Sequence, residues 1–349
     1  MLRLISQALL FALIGLALAG CGGGDDDDGG DAIETTTAAE PSLKVGLIVD
    51  KGQLDDNGFN ELAFKGLERA QAELSVEGRV IESASAADYI PNMTSLARQD
   101  YDLVIGVGFA QGDAVGKVAK RFPETKFAII DVDQAFVPGK PANVQGLLFR
   151  EEEVGYLVGY LAALQEKRRD GADIISAVGG MKEPPVDRFI AGYFAGAKKA
   201  DPGIKTVVGY SQDWDDQAKC KELALNQIAA GSGVVFQVAG GCGLGALNAA
   251  GERERWGIGV DADQSSLGKH ILTSAKKGVD SAVFLTIQSI QEGRWQGGTN
   301  ATFGLKENGV GLGKVSPEVP QSDLDAVEEI RQRIASGELT GIPTEVVKS

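Results

Sequence analysis

Val49-Asp50-Lys51-Gly52-Gln53-Leu54-Asp55-Asp56-Asn57-Gly58-Phe59-Asn60 is the stretch whose reading decides the fold. The apolar run Leu43 to Val49 ends abruptly in this polar, glycine-punctuated loop. From Phe59 the pattern turns amphipathic, with apolar or small residues at Leu62, Ala63, Gly66, Leu67 and Ala70. Strand, loop and helix start follow one another, and in an open α/β sheet ligands bind outside the carboxyl ends of such strands. Asp55 and Asp56 have an ordinary reading as acids at a helix N-terminus. Phe59 stands at the helix entry, where a ring can face a ligand as easily as a core. The loop therefore reads as one wall of a binding site, and the question is whether the chain supplies the other.

The same alternation continues along the chain. Short apolar runs end at Val107, Ile130, Leu148, Val178, Tyr210, Val238 and Val260, and amphipathic segments separate most of them. This pattern implies mostly parallel sheets with helices on both faces, arranged as two similar doubly wound lobes. The expected division places 42–150 plus about 265–295 in the first lobe and 151–264 plus about 296–340 in the second. No Pro/Gly/Ser-rich linker separates them, which fits several short crossovers.

The N-terminus reads as an export signal over residues 1–20, with Arg3 followed by a short apolar run too brief for a comfortable membrane span. It ends in Leu18-Ala19-Gly20-Cys21, the pattern of a bacterial lipoprotein signal, with Cys21 expected to carry the lipid. Residues 21–41, rich in Gly, Asp and Thr, read as a solvated tether. The expected location is the extracytoplasmic side of a membrane, held by a lipid anchor. Net charge is −15, of which −6 falls on residues 1–40. An acidic body argues against nucleic acid as a partner.

Three cysteines and one histidine narrow the chemistry. With Cys21 lipidated, only Cys220, Cys242 and His270 remain, too few for a four-ligand cysteine/histidine zinc site. His270 has no neighbouring acid in sequence to orient it for a catalytic triad. No metal, cofactor or catalytic residue is expected. Cys220 and Cys242 are free to pair in an oxidising compartment, although spacing alone does not decide it.

The expected strand ends share a chemistry: Asp50, Gly108-Phe109, Asp131, Gly179-Gly180, Gly240-Gly241 and Asp261. Carboxylates accept from hydroxyls and amines, glycines admit a ligand to the backbone, and a ring offers a flat face. The set suits a polar small molecule with a planar part and a polyol part. Ala239-Gly240-Gly241-Cys242-Gly243-Leu244-Gly245 with Asp261 after it partly matches a dinucleotide fingerprint, but the spacing is incomplete.

Taken in order, Asp50…Asp55-Asp56-Asn57-Gly58-Phe59-Asn60, Gly106-Val107-Gly108-Phe109, Val178-Gly179-Gly180-Met181, Gly192-Tyr193…Ala195-Gly196, Gly257-Ile258-Gly259-Val260-Asp261-Ala262-Asp263-Gln264 and Leu272-Thr273-Ser274-Ala275-Lys276-Lys277 resemble the basic membrane protein family. These are substrate-binding lipoproteins of ABC transporters, and the likeness spans nearly all of Leu43 to Glu292. The resemblance implies a type I periplasmic-binding fold that closes two lobes on a nucleoside, with a purine expected, and a permease as partner to a monomeric receptor. It further implies that Phe59 stacks on the base, Asp131 bonds its edge, and Asp50, Asp261 and Lys277 hold the ribose. Gly240 would lend backbone, Asn60, Phe109 and Val238 would line the cleft, and Trp214 would sit at its rim. Gly58, Cys242 and Val238 depart from the usual family pattern. A sensing lipoprotein or a nucleoside hydrolase are the alternatives from other classes.

Overall fold

The computed structural model describes residues 42–50 and 54–347. The signal segment, Cys21, the tether and Lys51-Gly52-Gln53 lie outside the described residues. The first lobe begins with β1 (Lys44–Val49), α1 (Phe59–Leu74), β2 (Glu77–Glu82), α2 (Tyr89–Arg98), β3 (Leu103–Gly106), α3 (Gly112–Ala119), β4 (Lys126–Ile130) and β5 (Val144–Phe149). The second follows with α4 (Glu151–Glu166), β6 (Ile174–Gly179), α5 (Pro184–Ala200), β7 (Lys205–Tyr210), α6 (Gln217–Ala229), β8 (Ser232–Val238), α7 (Gly240–Glu252), β9 (Trp256–Asp261) and β10 (Ile271–Lys277). The chain then runs through α8 (Val279–Gln291), β11 (Asn300–Phe303), β12 (Val310–Leu312) and α9 (Gln321–Ala335).

Two sheets result, ordered β11-β5-β4-β3-β1-β2 and β12-β10-β9-β8-β6-β7. Every pairing is parallel except β10 with β12. The two orders are the same pattern used twice, so β4 corresponds to β9 and β5 to β10. Central strands are apolar on both faces because helices cover both: β6 and β8 are buried throughout, whereas edge strand β2 is largely exposed.

The expected lobe boundaries need correction at the crossovers. β10 pairs with β9 and belongs to the second sheet, not the first lobe, while α8 after it does pack on α1. β11 pairs with β5 and extends the first sheet, not the second. Hydrophobic pattern identifies a strand but not its sheet, and a single-glycine crossover such as Gly278 leaves no compositional mark. The chain thus passes between lobes after β5, after β10 and between β11 and β12.

Helices α4 and α5 meet backbone to backbone. A Cβ at Gly155 or Gly159 would run into the carbonyls of Phe189 and Tyr193, and one at Gly192 or Gly196 into those of Glu152 and Tyr156. This reciprocal fit sets α5 close against α4, the helix that follows the first crossover. Cys220 of α6 and Cys242 of α7 are joined in a disulfide, with Cα atoms 5.6 Å apart.

Closing a loop of this sequence separation, 22 residues, removes unfolded-state entropy worth about 3 kcal/mol. Replacing both cysteines by alanine should lower stability by about that amount. Denaturant unfolding with and without reductant checks it: reductant should destabilise the parent protein and leave the double variant unaffected.

Candidate functional site

The carboxyl ends of both sheets face one cavity, with about 740 Å3 of empty space including its open mouth. All ten sequence-nominated residues line it: Asp50, Phe59, Asn60, Phe109 and Asp131 from the first lobe, and Trp214, Val238, Gly240, Asp261 and Lys277 from the second. Gly108 and Gly241, named above as strand-end glycines, also line it, as do Asp56, Glu183, Pro185, Val186, Phe189, Asp215 and Val260, to which sequence reasoning gave no ligand role. Phe189 lies ten residues past the Gly179 turn, on a helical face that reads as core. His270 lies away from the cavity, half-buried against Gly251 and Gly268.

The first wall is built by Asp56. Its carboxylate accepts from the backbone of Gly58 (2.9 Å), Asn60 (2.9 Å) and Glu61 (3.2 Å), tying the loop to the first turn of α1. The capping reading is correct for this residue, yet the same carboxylate also faces the cavity. Asp55 is exposed and outside it. Capping orients α1 so that Phe59 and Asn60 point inward. Asn60 is 5% exposed, and its Oδ1 is buried without a hydrogen-bond partner. The Tyr89 hydroxyl donates to Asp50. A Cβ at Gly58 would sit 3.8 Å from Asp261 Oδ2, so the two lobes approach closely here.

The second wall rests on glycines. Trp214 packs over Gly180 and lies beside Gly240, and the Cys242 amide donates to the Trp214 carbonyl at 2.8 Å. Gly240 has a positive φ of 54°, which starts α7 at a sharp angle that most side chains avoid. Asp131, just after β4, and Asp261, the last residue of β9, occupy corresponding positions, and both have positive φ, 71° and 61°. Such backbone is unusual for a non-glycine residue and clusters at functional sites. It turns both carboxylates into the cavity.

Lys277 joins the two walls. Its ammonium donates to Asp131 Oδ1 (2.7 Å), Asp131 Oδ2 (2.8 Å) and Glu151 Oε1 (2.9 Å). The rings of Phe59, Phe149 and Phe189 surround it at 4.9–5.8 Å. Burial opposes the charge on Lys277, but Asp131, Glu151 and Asp261 outweigh it and raise its pKa. Burial pushes Glu151 up to about 7, with Lys277 pulling the other way. Asp261 is likewise pushed up to about 7 by burial against the pull of Lys277, with Asp56 and Asp131 adding repulsion. Sequence reasoning did not find Glu151, which reads as the first residue of a helix rather than a cavity neighbour. Gln264 forms a second bridge: its Nε2 donates to the Asn57 carbonyl of the first lobe at 3.1 Å. Gln237 Nε2 (2.9 Å) and the Val260 amide (3.3 Å) hold its Oε1.

Comparison with known proteins agrees with this geometry. Residues 43–342 match the family described as ABC transporter substrate-binding protein PnrA-like, Bmp. The chain belongs to this family. Bmp proteins are substrate-binding components of ABC transporters. The ABC transporter nucleoside-binding protein BmpA of Lactococcus lactis is 33% identical, over 94% of this chain and 97% of that protein. An uncharacterized lipoprotein of Pyrococcus horikoshii is 34% identical, over 83% of this chain and 71% of its own. A crystal structure of an ABC transporter solute-binding protein from Aeropyrum pernix superposes with a TM-score of 0.78 at 30% identity, covering 86% of this chain and 94% of the other. Basic membrane protein D of Borreliella burgdorferi is 35% identical, over 77% of this chain and 78% of that protein.

Removing the Lys277 ammonium leaves Asp131 and Glu151 buried without their cation. Lys277→Met should cost about 3–5 kcal/mol at pH 8. The loss should shrink toward pH 5, where protonation of Glu151 and Asp261, both raised to about 7 by burial, relieves the repulsion. Urea unfolding at the two pH values checks both statements.

Proposed function

We propose that this protein captures a nucleoside, with a purine as its base, outside the cytoplasm and delivers it to a membrane permease. The observation that carries the reading is one cavity lined by an aromatic ring from each lobe, Phe59 and Trp214, and by carboxylates at the strand ends of both. A planar base and a hydroxyl-bearing sugar are complementary to that pairing. The name of the Lactococcus lactis relative supports the ligand class. Phe59 stacks on the base and Asp131 accepts from its edge. Asp50 and Asp261 accept from ribose hydroxyls, and Gly240 contributes backbone. Asn60, Phe109 and Val238 shape the cavity, and Trp214 covers its rim.

Lys277 plays a different part from a simple sugar donor, because Asp131 and Glu151 take its three protons. It fixes the Asp131 carboxylate, whose remaining lone pairs serve the ligand. The protein works as a monomer, and closure of the two lobes about the crossovers traps the ligand. A lipid on Cys21 holds the receptor at the membrane near its permease, and Cys21→Ser should move it from the membrane fraction to the soluble extracytoplasmic one.

Isothermal titration of ligand-stripped protein with adenosine, guanosine, inosine and uridine tests the proposal. Purine nucleosides should bind, and absence of heat with all four overturns the reading. Phe59→Ala should weaken binding by about 1–3 kcal/mol, the scale of base–aromatic stacking.

A further inference from the structure

Glu183 carries an unexplained charge. It precedes α5, at the position where an acid ordinarily caps a helix. Its side chain makes no cap bond. Pro184 and Pro185 follow it, so the N2 position has no N–H to donate and only Val186 at N3 could serve as a cap donor. The neighbouring cation does not claim it either, since Lys182 donates to Asp187, which also accepts from the Tyr210 hydroxyl at 2.6 Å. Glu183 is left facing the cavity, half-buried.

Its surroundings there are acidic. Asp50, Asp56, Asp131, Glu183, Asp215 and Asp261 all line the cavity, and Lys277 is the one described cation among the lining residues. The three protons of Lys277 are already taken. The polar Oδ1 of Asn60, buried and unpartnered, adds another acceptor that a ligand must satisfy.

We propose that Glu183 is a specificity-determining residue. Lining the same cavity as Asp50 and Asp131, it excludes ligands that carry a phosphate and accepts a hydrogen bond from an uncharged one, favouring a nucleoside over its 5′-phosphate. The proposal rests on the nucleoside reading and sharpens it. A phosphate monoester brings a charge of about −1.5 to −2 at neutral pH into this field. Lobe closure removes the water that would screen it, so the repulsion is greatest in the closed form. Burial, followed by the charges of Asp50 and Asp131, pushes the Glu183 carboxyl up to about 7, which fits a group held among like charges.

Two measurements on the full folded domain test this. The first is titration of ligand-stripped protein with adenosine and adenosine 5′-monophosphate at pH 8. The parent should prefer the nucleoside strongly, and Glu183→Gln should reduce the preference by about tenfold or more, as removal of one close like charge predicts. An unchanged ratio overturns the proposal. The second needs no ligand. A folded-state pKa raised above the unfolded value means stability is lost as pH rises through about 7. Glu183→Gln should therefore melt higher than the parent at pH 8 and not at pH 5. An equal shift at both pH values, or none, overturns the statement that a charge on Glu183 is unfavourable in the cavity. If the parent binds no nucleoside, the nucleoside reading fails by itself, and the melting comparison still decides whether the cavity disfavours the Glu183 charge.

Discussion

The Lys277 ammonium is the interaction on which the cleft depends. It leaves the end of β10 in the second sheet and reaches Asp131 at the end of β4 in the first, with Glu151 at the head of α4 completing its coordination. A buried cation of this kind is costly unless paired and fully hydrogen-bonded. Here three carboxylate oxygens meet three ammonium protons, and three phenylalanine rings exclude water around them. The same group therefore links two lobes, neutralises part of an acidic cavity and fixes the carboxylate proposed to read a ligand. It stands beside the crossovers after β5 and β10.

The rest of the site uses backbone geometry rather than mass. Asp131 and Asp261 both leave their strands with positive φ, at corresponding places in two sheets of identical order. Duplicated topology thus delivers a pair of acids to one cavity from opposite sides. Glycines at 180 and 240 leave room for Trp214 on the second wall, and the amide of disulfide-bonded Cys242 holds its carbonyl. Gln264 reaches over to the Asn57 carbonyl, so the loop that carries Phe59 is held from both lobes.

Much of this was legible in the chain itself. Strand and helix positions followed from apolar runs and their period, and the acids, glycines and Phe59 at strand ends identified the site-bearing edge. Resemblance to the family then singled out Lys277 and Trp214. Three kinds of feature escaped. Glu151 and Phe189 lie on helices whose patterns speak only of core and caps. Glu183 stands just before a helix, and only the tertiary structure shows that it lines the cavity with Asp50 and Asp131. The sheet membership of β10 and β11 was misassigned because pairing partners leave no local mark.

What the sequence by itself determined was the alternation of strands and helices and the chemistry placed at each strand end. These are local properties, set by side-chain period, turn residues and the absence of further histidines or cysteines. The tertiary structure alone decided which sheet each late strand joins, that Cys220 and Cys242 pair, and that Lys277 binds Asp131 and Glu151. Those are long-range outcomes: residues 126 and 146 positions apart meet only after the chain has crossed between lobes. The free energy of burying a charge depends on which groups arrive beside it, and no local pattern encodes that arrival.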